Sequence, residues 1–313
     1  MREEINLGYC CINLSMPKNH STNRGCIKRT FHDKGLKHVS ALALENVRDL
    51  IEVVKWNHQH GVKVYRMSSD AFPWMSEYEF DQLPDITKIR TLLRGLGTLA
   101  AKYDQRLSFH PGPFNVLGSP NPEAIRKTIK ELNQHGQIMD MIGLPRDHRA
   151  PINIHCNGVY EGKEETLARW RENWAKLDDS ARLRLVVEND DKASMYSVSD
   201  LYEGIYSHIG VPITFDYHHH RFNDGGLTEE EAFKLAATTW PAGIRPLFHY
   251  SSCRKTFEDP ECKAQAHADW LYEKIRTYGV ALDIEVGAKA KDQALLKYLE
   301  QEDELLESYK PMA

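Results

Sequence analysis

The sequence predicts one α/β domain, a (β/α)8 TIM barrel with its site at the C-terminal mouth of the strands. Two observations carry this. Eight short apolar runs recur along the 313 residues, and stretches with helical periodicity lie between them. No linker, low-complexity tract or charge block divides the chain, so residues 1–313 read as a single domain.

The first run, INLGY at 5–9, is apolar on both parities, as expected of a strand covered on both faces. A longer than usual connection follows, from about 11 to 40. It carries Arg24, Lys28, Arg29, Lys34 and Lys37 against a single acid, Asp33, which suits either a solvated loop or one that contacts phosphate. ALALENVRDLIEVVKWNHQHG then repeats apolar residues at helical spacing and stops on Gly61. VKVYR (62–66) is the second strand, TKIRTLLRGLGTLAAKYDQ the next helix, and RLSFH (106–110) the third strand. PINIHC (151–156) and RLVVEN (184–189) are the fourth and fifth. SVSDLYEGIYSHIG, closed by Gly210, is a helix, and PITFDY (212–217), PLFHYSS (246–252) and ALDIEV (281–286) complete the eight strands. A C-terminal tail is expected from about 300.

Composition narrows the function. The formal net charge of −5 supplies no global basic field for nucleic acid, though a local patch or bound cations can replace one. No apolar run approaches the ~20 residues of a membrane span. The start MREEINLGYC lacks the apolar core of a signal peptide, so a cytoplasmic location is expected; a monomer that needs no protein partner is expected as well. The six cysteines, at 10, 11, 26, 156, 253 and 262, form neither a disulfide framework nor a zinc-knuckle spacing.

Function on a barrel of this kind sits where the strands end. There the sequence places His110, His155, Glu188 with Asn189, Asp216 with His218, His219 and His220, His249, and Glu285, and His267 follows in the loop after the seventh strand. A lone histidine at a strand end is usually a hydrogen-bonded packing residue. Several carboxylates sharing one mouth would repel each other, and burying them uncompensated costs several kcal/mol each. Divalent cations are the simplest compensation; mixed imidazole and carboxylate donors suit manganese, iron or zinc, and the inventory exceeds one tetrahedral ion. Such a centre can activate water against a phosphodiester, isomerise a sugar or support non-haem iron oxidation. A binding protein that keeps its metals for structure is a further alternative.

The segments LGYCCINLS, STNR, YRMSSDAFPW, LSFHPGPFNVLGSP, HCNGVYEGKEETLARW, VVENDD, FDYHHH, FHYSS, AHADW and AKAKDQALLKY resemble, in this order, those of UV damage endonucleases. The resemblance runs from about residue 5 to 298 and implies a TIM barrel related to endonuclease IV. It implies two or three divalent metals, manganese first and zinc, iron or cobalt as alternatives. It also implies hydrolysis of duplex DNA on the 5′ side of photoproducts and abasic sites. By position it assigns metal ligation to His110, His155, Glu188, Asp216, His219, His249 and His267. Catalytic roles fall to Tyr9, Lys163 and Glu188, and DNA or lesion contacts to Asn13, Arg24, Pro113, Phe114 and Asn115.

Five positions depart from the family pattern. Glu77 stands for a histidine and is a candidate ligand in its place. Pro113 and Phe114 replace a glutamine and aromatic pair, Leu247 a lysine open to carboxylation, and Gly287 the glutamate of an EAK motif. Glu285, two residues earlier and on the same strand face, is the candidate substitute. In DYHHH, strand alternation would group Asp216, His218 and His220. The resemblance selects Asp216 and His219, which requires the chain to leave strand geometry after Tyr217.

Overall fold

The computed structural model describes residues 5–301 and residue 305. The expected C-terminal tail therefore lies almost wholly outside the described residues. The eight strands are β1 (Ile5–Cys10), β2 (Val64–Met67), β3 (Arg106–Phe109), β4 (Ile152–His155), β5 (Leu185–Glu188), β6 (Ile213–Thr214), β7 (Leu247–Tyr250) and β8 (Leu282–Val286). They form one eight-stranded sheet of TIM-barrel type, as the alternation of strand and helix predicts. The chain divides into two compact units, residues 11–186 and residues 5–10 with 187–301.

The unit 11–186 holds β2, β3 and β4 in parallel register, with Val64 opposite Arg106 and Phe109 opposite Ile152. Its long helices are α1 (Lys28–Gln59), α2 (Ile86–Lys102), α3 (Pro122–Ile142) and α4 (Lys163–Trp174). In α3, Asn121 caps the N-terminus by accepting from Glu123 N and Ala124 N, and Pro122 occupies the first turn, where its missing N–H costs nothing. Leu132, Ile138, Met139 and Ile142 form its buried stripe.

The loop expected over 11–40 is shorter than predicted, because α1 begins at Lys28 and breaks once, at Gly35 (φ 63°, ψ −161°). The reason is tertiary. Phe31 stacks on Trp74 with ring centroids 5.9 Å apart, and Trp74 Nε1 donates to Cys26 O at 2.8 Å. That platform holds a helical turn whose own basic sequence gives no apolar signal.

The other unit pairs β1 with β8 and β7 with β8, all parallel. Gly8 faces Glu285, and Glu285 faces His249, so one row across three strands places a carboxylate beside an imidazole. β6 stops at Thr214, and an isolated bridge from Asp216 to His249 carries the pairing on to β7. Phe215, Phe233 and Phe248 pack edge to face beneath this row and are fully buried.

Candidate metal centre

The DYHHH stretch resolves as a turn of helix. Asp216 keeps extended backbone and caps Tyr217–His220, its carboxylate accepting from His219 N at 2.9 Å. The chain thus leaves strand geometry after Asp216, one residue earlier than expected, and the D-x-x-H spacing places both side chains together. His219 Nδ1 lies 3.8 Å from Asp216 and 3.3 Å from Glu188. It also lies 2.9 Å from the carbonyl of Asn189, an acceptor only, so Nδ1 carries a proton.

Asn189 was not assigned a role from sequence. Its side chain donates to Asp216 O at 3.1 Å and accepts from Asp216 N at 2.8 Å, which fixes the aspartate's backbone. His249 faces carboxylates from both ring nitrogens, Glu188 at 3.1 Å and Glu285 at 3.0 Å. Glu285 is therefore part of this ionic cluster. The carboxylates of Glu188, Asp216 and Glu285 are all buried.

This donor set fits divalent cations. Three carboxylates in a dry setting need compensating charge. The two histidines supply it as protons. Burial alone would lower the pKa of His219, yet Asp216 and then Glu188 push it up to about 10. Burial likewise opposes protonation of His249, but Glu188 and Glu285 push it up to about 9. A divalent ion would carry the same compensation, and its binding would release those protons.

His218 and His220 do not share this setting. Burial pushes His218 down to about 4, and its Nε2 meets Gln265 O at 3.0 Å. Burial lowers His220 as well. His267 is lowered by burial despite Asp216, and its ring lies edge to face on His218 at 4.8 Å.

In the unit 11–186, His110 and His155 follow or end β3 and β4, and their ring centroids lie 5.3 Å apart. Phe114 projects from the loop after His110 with 88% of its surface exposed, and Pro113 beside it is exposed too. Lys163 opens α4 and is half-buried. Lys28, Arg29, Lys34 and Lys37 are exposed on the first turns of α1.

Several candidates sit elsewhere than expected. Glu77 is exposed at the end of the single turn Met75–Glu77, where its charge acts on Arg126, and it joins no metal-binding group among the described residues. Asn115 is buried and donates to Gly112 O and Glu131, which braces the loop rather than offering it to a ligand. Arg24 is turned inward, onto Asp49 at 2.6 Å and the carbonyls of Ser21 and Asn19. Asn13 caps its own loop, accepting from Ser15 N and Met16 N at 3.0 Å. Tyr9 is fully buried in β1.

With this geometry in hand, comparisons with known proteins are specific. The family model "UV-endonuclease UvdE" matches residues 5–312. A UV-damage endonuclease of Schizosaccharomyces pombe is 34% identical over 302 residues, covering 93% of this chain and 49% of that protein. The chain thus spans about half the length of that relative. A putative UV-damage endonuclease of Acanthamoeba polyphaga mimivirus is 28% identical over 305 residues, covering 94% of this chain and 90% of its own. The crystal structure of SacUVDE superposes with a TM-score of 0.83 at 28% identity, covering 96% of this chain and 99% of that one.

Proposed function

From the premise that the chain belongs to the UV-endonuclease family, we propose that it is a metal-dependent DNA repair endonuclease. Its reaction is hydrolysis of the phosphodiester on the 5′ side of UV photoproducts or abasic sites, leaving a 3′-hydroxyl. The observation that carries the reading is Glu188, buried with His219 at 3.3 Å and His249 at 3.1 Å, beside the equally buried Asp216 and Glu285.

Glu188, His219 and His249 are proposed to hold ions, and His110 and His155 are further proposed ligands. His267 and Asp216 complete the set, for two or three ions in all, with manganese as the first candidate. Bound divalent ions would supply charge neutralisation at the phosphate and lower the pKa of water. The chain's own residues do the rest. Lys163 and the cations Lys28, Arg29, Lys34 and Lys37 hold the DNA backbone. Phe114 enters the duplex where a lesion has already weakened stacking, a step that costs a few kcal/mol.

The test is incubation with Mn²⁺ and defined duplexes carrying a photoproduct, an abasic site or no lesion, with the incision mapped. Cutting 5′ to the lesion, abolished in Glu188→Ala and His155→Ala, is expected. Equal nicking by the variants sinks the reading.

A further inference from the structure

Gly287 stands where the resembling family carries a glutamate, and its surroundings show why a side chain there would not fit. A Cβ built at 287 would lie 2.5 Å from Ser251 Oγ and 3.2 Å from His267 Nδ1. Its backbone is not in the left-handed region, so the restriction is one of space. Ser251 follows β7, is 1% exposed, and places its hydroxyl 3.0 Å from His267 Nδ1. The Gly287 carbonyl approaches the same nitrogen at 3.3 Å. His267 is pinned on both sides by backbone: Arg254 N donates to Ala266 O at 2.8 Å, and Ala268 N to Ser252 O at 2.9 Å. Its ring is further set by the face of His218.

A carbonyl can only accept, so the nitrogen facing it must carry the hydrogen, and the hydroxyl accepts from the same N–H. We infer that Ser251 and Gly287 form a clasp around His267 that fixes its proton on Nδ1 and leaves Nε2 as the lone-pair nitrogen. The glycine is the opening that lets the serine hydroxyl and the ring meet. The departure at 287 therefore does more than delete a ligand. It leaves His267, a ligand the resemblance already assigns, held in a single tautomer, and Ser251 is a positioning residue. The consequence for metal rests on the function proposed above; the tautomer does not.

The experiment uses full-length protein labelled with ¹⁵N-histidine, with His267 assigned by the signal lost in His267→Gln. Ring ¹⁵N shifts are read in metal-free protein, and Mn²⁺ affinity is measured for the wild type, Ser251→Ala, Gly287→Ala and the double variant. The wild type should show a protonated Nδ1 and a bare Nε2. Each single variant should mix the tautomers and weaken Mn²⁺ binding by on the order of tenfold. The double variant should bind better than Gly287→Ala, because the close approach of Cβ to the hydroxyl is gone.

A wild-type ring protonated on Nε2 overturns the inference. So do single variants that keep both tautomer and affinity, or a double variant no better than Gly287→Ala. If Gly287→Ala does not fold, Ser251→Ala, which only removes an atom, decides the matter. Wild-type protein with the expected tautomer but no metal binding would uphold the clasp and sink the metal-dependent function.

Discussion

At Glu188 two imidazoles meet one carboxylate that water does not reach. Glu188→Gln keeps the shape but replaces an oxygen with an NH₂ and removes the charge. Bound metal, counted by elemental analysis, should fall well below the wild-type ratio while the circular dichroism spectrum is retained. Gly35 illustrates a purely conformational residue. No atom lies within 4 Å of a Cβ built there, so space is ample, but φ of +63° strains any L side chain. Gly35→Ala should cost about 1–3 kcal/mol in urea unfolding without altering metal content. The residue types of the site were legible in sequence because His, Glu and Asp recur at strand ends. Which histidines of DYHHH matter was not legible from periodicity, because Asp216 ends the strand and starts a helical turn. The roles of Asn189 and Ser251 were invisible, since each depends on a partner made adjacent only by folding.

At the scale of elements, the strands were the readable part. Runs that are apolar on both parities have few other uses in a soluble chain. The start of α1 was missed because residues 28–34 are mostly charged and owe their helix to the Phe31–Trp74 stack. That helix start offers Lys28, Arg29, Lys34 and Lys37 to solvent, and Asp33 lies 3.8 Å from Arg29. Replacing the four cations with alanine should lower the slope of log K against log salt for duplex binding by about 3–4. Turnover at saturating DNA should change little. An unchanged slope would remove this segment from the interface. Deeper in, Arg221 and Glu273 form an ion pair with both side chains buried, and Tyr250 OH donates to the same carboxylate. Glu273→Ala strands a buried guanidinium and should cost about 3–5 kcal/mol, read from the urea midpoint.

For the molecule as a whole, pH acts in part through buried histidines outside the candidate metal centre. His148 is pushed down to about 4 by burial, which outweighs the opposing Asp147. His135 is fully buried and is lowered for the same reason, with Glu131 opposing. The unfolded chain protonates such residues near pH 6.5, before the folded one does. Their contribution is therefore complete above that pH and is lost as pH falls from about 6.5 towards 4. His148→Gln combined with His135→Leu should lessen the fall of the urea midpoint over this window without abolishing it, because burial lowers His218, His220 and His267 as well. Arg184, with no exposed side-chain surface, donates to the carbonyls of Pro145, Gly136, Ser180 and Leu144 and to Asp140, tying the start of β5 to the end of α3. Nothing in its local sequence announces this role.

The pairing of β1 with β8 also sets a timetable. Ile5 finds its partner in Leu282, which the ribosome adds last among the strands. At roughly 5–20 residues per second, the first strand waits on the order of 15–55 s with that edge unmatched. During synthesis the strand Ile5–Cys10 therefore keeps one edge unmatched until Leu282–Val286 arrives, and a chaperone that shields that edge should raise the yield of folded protein more than one acting later.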